Sequence, residues 1–125
     1  MKENKLASQE QLALLNFVTY LKQSLPNEII RIALFGSKAR GNSQPDSDID
    51  VLVILDQDNR ELRRSILKKA ARISLDYDVI LSPRIISQQR WEEMRGFSIY
   101  RNIIQDATDV ARVGGNLDLV TVENT

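Results

Sequence analysis

The sequence predicts a single α/β domain, a small mixed β-sheet with helices packed against it. Three observations carry that expectation. Short β-branched apolar runs alternate with segments whose apolar residues recur at three- and four-residue steps, the signature of strands alternating with helices. The 125 residues are the length of one ordinary domain. The composition is globular, 42% hydrophobic and 27% charged, with no repeat, low-complexity tract or linker to divide it. The expected order is αβαβαβαα(β), with a core over 8–113 and a loose tail over 114–125.

The elements follow in turn. Ser8 with Gln11 reads as a capping box, opening a helix whose apolar face is Leu12, Leu15, Val18, Leu21 and Leu25. Pro26-Asn27 ends it. Ile29 to Phe35 is β-branched and apolar on both faces, a buried strand stopped by Gly36. Residues 37–40 have room for a short helical segment before the turn-rich stretch 42–47. Asp48 to Leu55 is a second strand. Asp58 or Asn59 caps a helix with Leu62, Ile66, Leu67, Ala70 and Ile73 on one face. Tyr77 to Leu81 reads as a third strand ended by Ser82-Pro83. Ser87 opens a helix carrying Trp91 and Met94, Gly96 breaks it, and Ser98 starts another through Asp106. A short strand over 109–113 closes the core.

Composition restricts the chemistry. There is no cysteine and no histidine, so disulfides, thiolate nucleophiles, imidazole bases and Cys/His zinc sites are excluded. Catalysis must use carboxylates, hydroxyls and Lys/Arg, and a metal must be a hard, oxygen-ligated ion such as Mg²⁺. Seventeen Lys+Arg balance seventeen Asp+Glu, which argues against direct nucleic-acid binding. No apolar run approaches the ~20 residues that cross a bilayer, and the polar start has no signal-peptide core. A cytoplasmic protein with no membrane association is expected.

The informative segment is Gly36 to Asp50. Asp48 and Asp50, two apart in a strand, share one side. Two acids at a strand entrance repel one another unless a cation repays the cost, and Mg²⁺ takes one or two carboxylates plus phosphate oxygens. Taken alone, such a pair is more often a solvated turn. Gly36 followed by Ser37 at a helix start offers backbone N–H groups and a hydroxyl to an anion. By itself it is also a plain strand-to-helix turn. For both features to form one site, the first two strands must run antiparallel. Asp78 joins them if the third strand runs parallel to the second, so that it starts at the same edge; it would ligate a metal or accept a hydroxyl proton. Asp76 competes for that place.

Gly36-Ser37, ten intervening residues, then Asp48-x-Asp50 resembles the signature of the DNA polymerase β-like nucleotidyltransferases. Ser37-Lys38-Ala39-Arg40-Gly41 and Ser47-Asp48-Ile49-Asp50-Val51-Leu52-Val53 are similar to the minimal nucleotidyltransferases (MNT domains). The resemblance spans about residues 10–110. It implies transfer of a nucleoside monophosphate, usually from ATP, with two Mg²⁺ ions. It implies that Asp48 and Asp50 bind both metals, that Asp78 is the third acid, that Gly36 and Ser37 hold the triphosphate, and that Arg40 assists with phosphate charge.

The resemblance further implies a partner. Minimal chains of this kind pair with a helical HEPN toxin, so this chain is expected to be an antitoxin transferring AMP to a toxin hydroxyl. Two other readings stand beside it: a small-molecule, antibiotic-type nucleotidyltransferase, and a non-catalytic antitoxin that masks its toxin. The basic residues Arg63, Arg64, Lys68, Lys69 and Arg72 read first as a solvated helix face. Trp91, Phe97 and Tyr100 read first as core. A protein acceptor is expected to dock over the Asp48/Asp50/Asp78 edge, with the mixed aromatic and basic stretch around Trp91 to Tyr100 adding to that surface.

Overall fold

The structure is a computed structural model and describes residues 6–36, 38, 47–113 and 116–121. The described residues form, in order, α1 (Ser8–Ser24), β1 (Ile29–Phe35), β2 (Ile49–Leu55), α2 (Arg60–Tyr77), β3 (Leu81–Ser87), α3 (Gln88–Glu93), α4 (Ser98–Asp106), β4 (Thr108–Val113) and β5 (Asn116–Thr121). The strands form one mixed sheet in the order β3-β2-β1-β4-β5.

β1 and β2 are antiparallel, with Phe35 opposite Asp50. β2 and β3 are parallel, with Ile49 opposite Leu81. The two strand directions that a shared site requires are therefore present. The end of β1 and the starts of β2 and β3 lie along one sheet edge, and the crossover through α2 returns the chain to it.

Because successive strand residues point to opposite faces, the two apolar faces of β1 and β2 each need a cover. Ile32, Leu34, Val51, Val53 and Leu55 pack with Leu14, Phe17 and Leu21 of α1 and with Ile66, Ala70 and Ile73 of α2. Ala33, Leu52 and Ile54 pack with Trp91 and Met94 and with Tyr100 and Ile103 of α4. Each large aliphatic side chain so buried contributes about 1.5–3 kcal/mol. The central strands thus read as continuous apolar runs because helices cover both sides.

Several boundaries differ from the sequence reading. α1 begins at Ser8 as expected, but its N-cap is Ala7, whose N–H donates to Glu10 Oε1 at 2.8 Å. Its buried face includes Ala13, Leu14 and Phe17, while Leu12 is exposed. On α2, Leu67 is likewise exposed. The third strand runs Leu81–Ser87, not Tyr77 to Leu81. Pro83 does not stop it, because β3 is an edge strand, where a residue without an N–H is tolerated. Tyr77 is instead the last residue of α2. The expected loose tail does not hold over 116–121, which pair antiparallel with β4. The short helix expected over 37–40 falls almost entirely outside the described residues.

Candidate active site

The candidate site is the sheet edge where β1 ends and β2 begins. Ile49 is fully buried between an exposed Asp48 and a half-buried Asp50. That alternation puts the two acids on the side away from Ile49, the side on which Leu52 and Ile54 meet α3 and α4 further along the strand. The start of β2 is held in place by Ile49 N–H, which donates to the Ile80 carbonyl at 2.7 Å.

Gly36 faces Asp50 across the strand pair. Its φ is +74°, in the region that favours glycine. A Cβ built on it would overlap Asp50 Oδ2 and lie 3.3 Å from Asp50 Cγ. The absence of a side chain here is therefore a steric requirement of the acid's position, as well as a conformational one. Ser37 and Arg40 lie outside the described residues.

Lys38, two residues on, is buried and ion-paired with Glu10 of α1 at 2.5 Å, the two side chains being 1% and 6% exposed. Nothing in the sequence pattern flags Glu10: a lone acid in the first turn of a helix reads as a favourable dipole partner on a solvated face. Ser82 was also missed. It stands opposite Asp50 in the parallel register, which places a hydroxyl-bearing residue beside the acid on the same side of the sheet.

Asp78 is at the same edge but not in a strand. It is the αL C-cap of α2, with φ +54°, and is exposed. Its own N–H and that of Val79 both donate to the Ser74 carbonyl. The Ser74 hydroxyl donates to the Ala70 carbonyl at 2.8 Å and accepts from Leu81 N–H at 3.0 Å. One serine thus ties the last turn of α2 to the first residue of β3. Among the described residues no three acidic side chains gather closely enough to hold a metal ion. Asp48 and Asp50 fit one: they are adjacent hard donors, with a side-chain-free backbone position against one of them. Asp76, the competing acid, lies on α2 and pairs with Arg72 at 3.4 Å.

Other features lie away from this edge. A hollow of about 620 Å³, lined in part by Arg84, Ile86, Arg90, Met94 and Phe97, opens beside β3 and α3 and does not include the acid pair. Asp58 pairs with Arg63 at 2.8 Å. That hydrogen bond and the Arg63 charge hold the Asp58 carboxyl below its usual value. Among the described residues no helix is long and apolar enough to cross a membrane.

The family described as "Nucleotidyltransferase domain" matches residues 14–109. A candidate protein adenylyltransferase of Methanocaldococcus jannaschii is 30% identical over 97 residues, covering 78% of this chain and 93% of that protein. A crystal structure of a toxin-antitoxin with AMP-PNP superposes with a TM-score of 0.51 at 18% identity, over 76% of this chain and 70% of the other. A structure described as a minimal nucleotidyltransferase gives a TM-score of 0.50 at 22% identity, over 82% and 96%.

Proposed function

The chain belongs to the nucleotidyltransferase-domain family, and from that premise we propose that it transfers AMP from ATP to a hydroxyl of a protein partner. We infer that the partner is a helical HEPN-type toxin and that this chain is its antitoxin. The single observation that carries the nucleotide half of the reading is the fit of Gly36 to Asp50. With no side chain at Gly36, the Asp50 carboxylate sits against the backbone at the end of β1, so the acid that would hold Mg²⁺ lies beside the turn proposed to receive the triphosphate, and the ion would bridge the two. The protein acceptor rests on the relative named as a protein adenylyltransferase and on the toxin-antitoxin neighbour.

In the transfer, the acceptor oxygen forms a bond to the α-phosphorus of ATP. The bond from that phosphorus to the bridging oxygen breaks, pyrophosphate leaves, and the hydroxyl proton passes to a base. Asp48 and Asp50 would hold two Mg²⁺ ions, whose chemistry is to neutralise the phosphate charge. Gly36 and Ser37 would cradle the triphosphate, with Arg40 nearby in sequence. Asp78 is the third acid of the proposal, as ligand or proton acceptor, and to serve it must come closer to Asp48 and Asp50.

The expected docking surface around Trp91 to Tyr100 needs correction. Trp91 and Tyr100 are buried against one another, with ring centroids 4.5 Å apart and planes tilted by 41°. α3 also starts where β3 ends, at the sheet end opposite Asp48. Only Phe97 of the three aromatics is exposed. We propose that the acceptor docks over the Asp48/Asp50/Asp78 edge of the sheet.

The test is co-expression with a helical HEPN-type protein encoded beside this chain, followed by intact mass measurement. A mass gain in multiples of one AMP on the partner, lost with Asp48→Asn, is expected. A stable complex with no mass gain overturns the transferase reading in favour of a masking antitoxin. No complex, with transfer to a small hydroxyl compound, overturns the protein acceptor.

A further inference from the structure

Glu10 and Lys38 are the two buried charged residues among those described. Twenty-eight positions separate them in the chain, and neither belongs to the acid set of the proposed reaction. Burying an ion pair is expensive: desolvation takes back most of the Coulombic gain, and apolar residues of similar size stabilise as well or better. Such a pair is a poor device for stability alone. What it supplies is geometry, since each charge strongly disfavours any arrangement that withdraws the other.

Its position shows which geometry. Gly36 turns the chain at the end of β1 with φ +74°. A glycine permits that turn but does not impose it, because it adopts many other conformations as readily. The direction of the chain beyond Gly36 must be fixed by something else. Lys38 does this by running its side chain into α1, where Glu10 Oε2 receives it. Glu10 is itself fixed, because its other oxygen accepts the Ala7 N–H that caps the helix. Two points of this stretch are therefore anchored: Gly36 against Asp50, and Lys38 against α1.

We propose that Glu10 is a positioning residue for the triphosphate: through its buried ion pair it fixes Lys38, and with it the course of the chain that leaves Gly36 beside Asp50. The inference rests on the nucleotide-binding reading above. It has a sign that simple electrostatics does not share. Glu10 is an acid near a site for a polyanion. If its role were only to offset the charge of Lys38, removing its own negative charge would make the surroundings more favourable to a polyanion and tighten ATP binding. As a positioning residue, it weakens binding when removed.

The experiment measures the Mg·ATP dissociation constant by calorimetry for the wild type, Glu10→Gln, Lys38→Met and the double variant. All are measured well below their melting temperatures, with folding checked by circular dichroism. Both single variants should weaken binding about tenfold or more, because a turn that is no longer held must be ordered when the ligand binds. The double variant should be no worse than either single one, because the two residues form one device. Glu10→Asp, which keeps the charge but withdraws it by one methylene, should give an intermediate loss. It carries the test if a neutral variant does not fold. Unchanged affinity in folded variants, tighter binding by Glu10→Gln, or a loss confined to Lys38→Met each overturn the proposal, the last by making Lys38 a direct phosphate ligand. If the wild type itself binds no Mg·ATP, the nucleotide reading fails first and the role of the pair falls with it.

Discussion

Gly36 and Asp50 are fitted to one another across the β1–β2 pair: a Cβ on the glycine would occupy the space of the aspartate's Oδ2. The contact follows from register. Phe35 stands opposite Asp50, so the residue after Phe35 turns over the carboxylate. Gly36→Ala should cost about 1–2 kcal/mol for the left-handed conformation alone, and more for displacing the acid. Urea melts of Gly36→Ala, Asp50→Ala and the double variant check this. The double variant should be less destabilised than the sum of the singles. Strict additivity would show that the two residues do not share the space.

Asp48→Asn and Asp50→Asn should abolish AMP transfer and leave the fold intact. Neither side chain is part of the apolar clusters, and each substitution removes a like charge beside the other acid, so both variants should still fold. Thermal melts and radiolabel transfer from ATP read the two halves separately. Full activity in either variant contradicts the assignment of that acid.

The pairing of Asp58 with Arg63 gives a pH dependence of known sign. The hydrogen bond and charge of Arg63 depress the Asp58 carboxyl below its unfolded value. The group therefore contributes stability above the unfolded pKa, and that contribution is lost as pH falls through the folded value. The pair is exposed, so the effect is small. Melts of wild type and Asp58→Asn should converge as the solution is acidified below the ordinary carboxylate range, and differ slightly at neutral pH. A gap that widens on acidification would contradict the shift.

What the sequence could tell depended on where local pattern and tertiary context agree. β1 and β2 were legible because covered strands leave unbroken apolar runs, and the Asp48/Asp50 pair because a period of two puts both acids on one side. β3 was misplaced because Tyr77 to Leu81 looks like a strand, while the Ser74 bonds that close α2 there are tertiary facts. Pro83 looked like a stop only because its edge position was unknown. β5 follows two glycines that read as the start of a tail, and its pairing with β4 has no local signal. Leu12 and Leu67 fit the helical period yet face outward, since several faces of α1 and α2 satisfy it. Glu10 was invisible for a different reason: a buried acid is recognised by its partner, and Lys38 is distant in sequence.

Asp78 separates conformation from chemistry at one residue. Its φ of +54° is tolerated by Asp and Asn and is costly for β-branched residues. Two N–H bonds to the Ser74 carbonyl and the Leu81 bond to the Ser74 hydroxyl leave the turn little freedom to relax. Asp78→Asn should therefore fold with stability close to wild type, and Asp78→Val should lose about 1–2 kcal/mol. If Asp78 acts as the third acid, both variants lose transfer alike, because both lack the carboxylate. If it serves only as a helix cap, Asp78→Asn keeps full activity and Asp78→Val loses it only as far as it loses folded protein. Denaturant melts set beside transfer rates per folded molecule decide between them. An active Asp78→Asn would leave the reaction to Asp48 and Asp50, with Ser82 the next polar residue to test because it stands opposite Asp50.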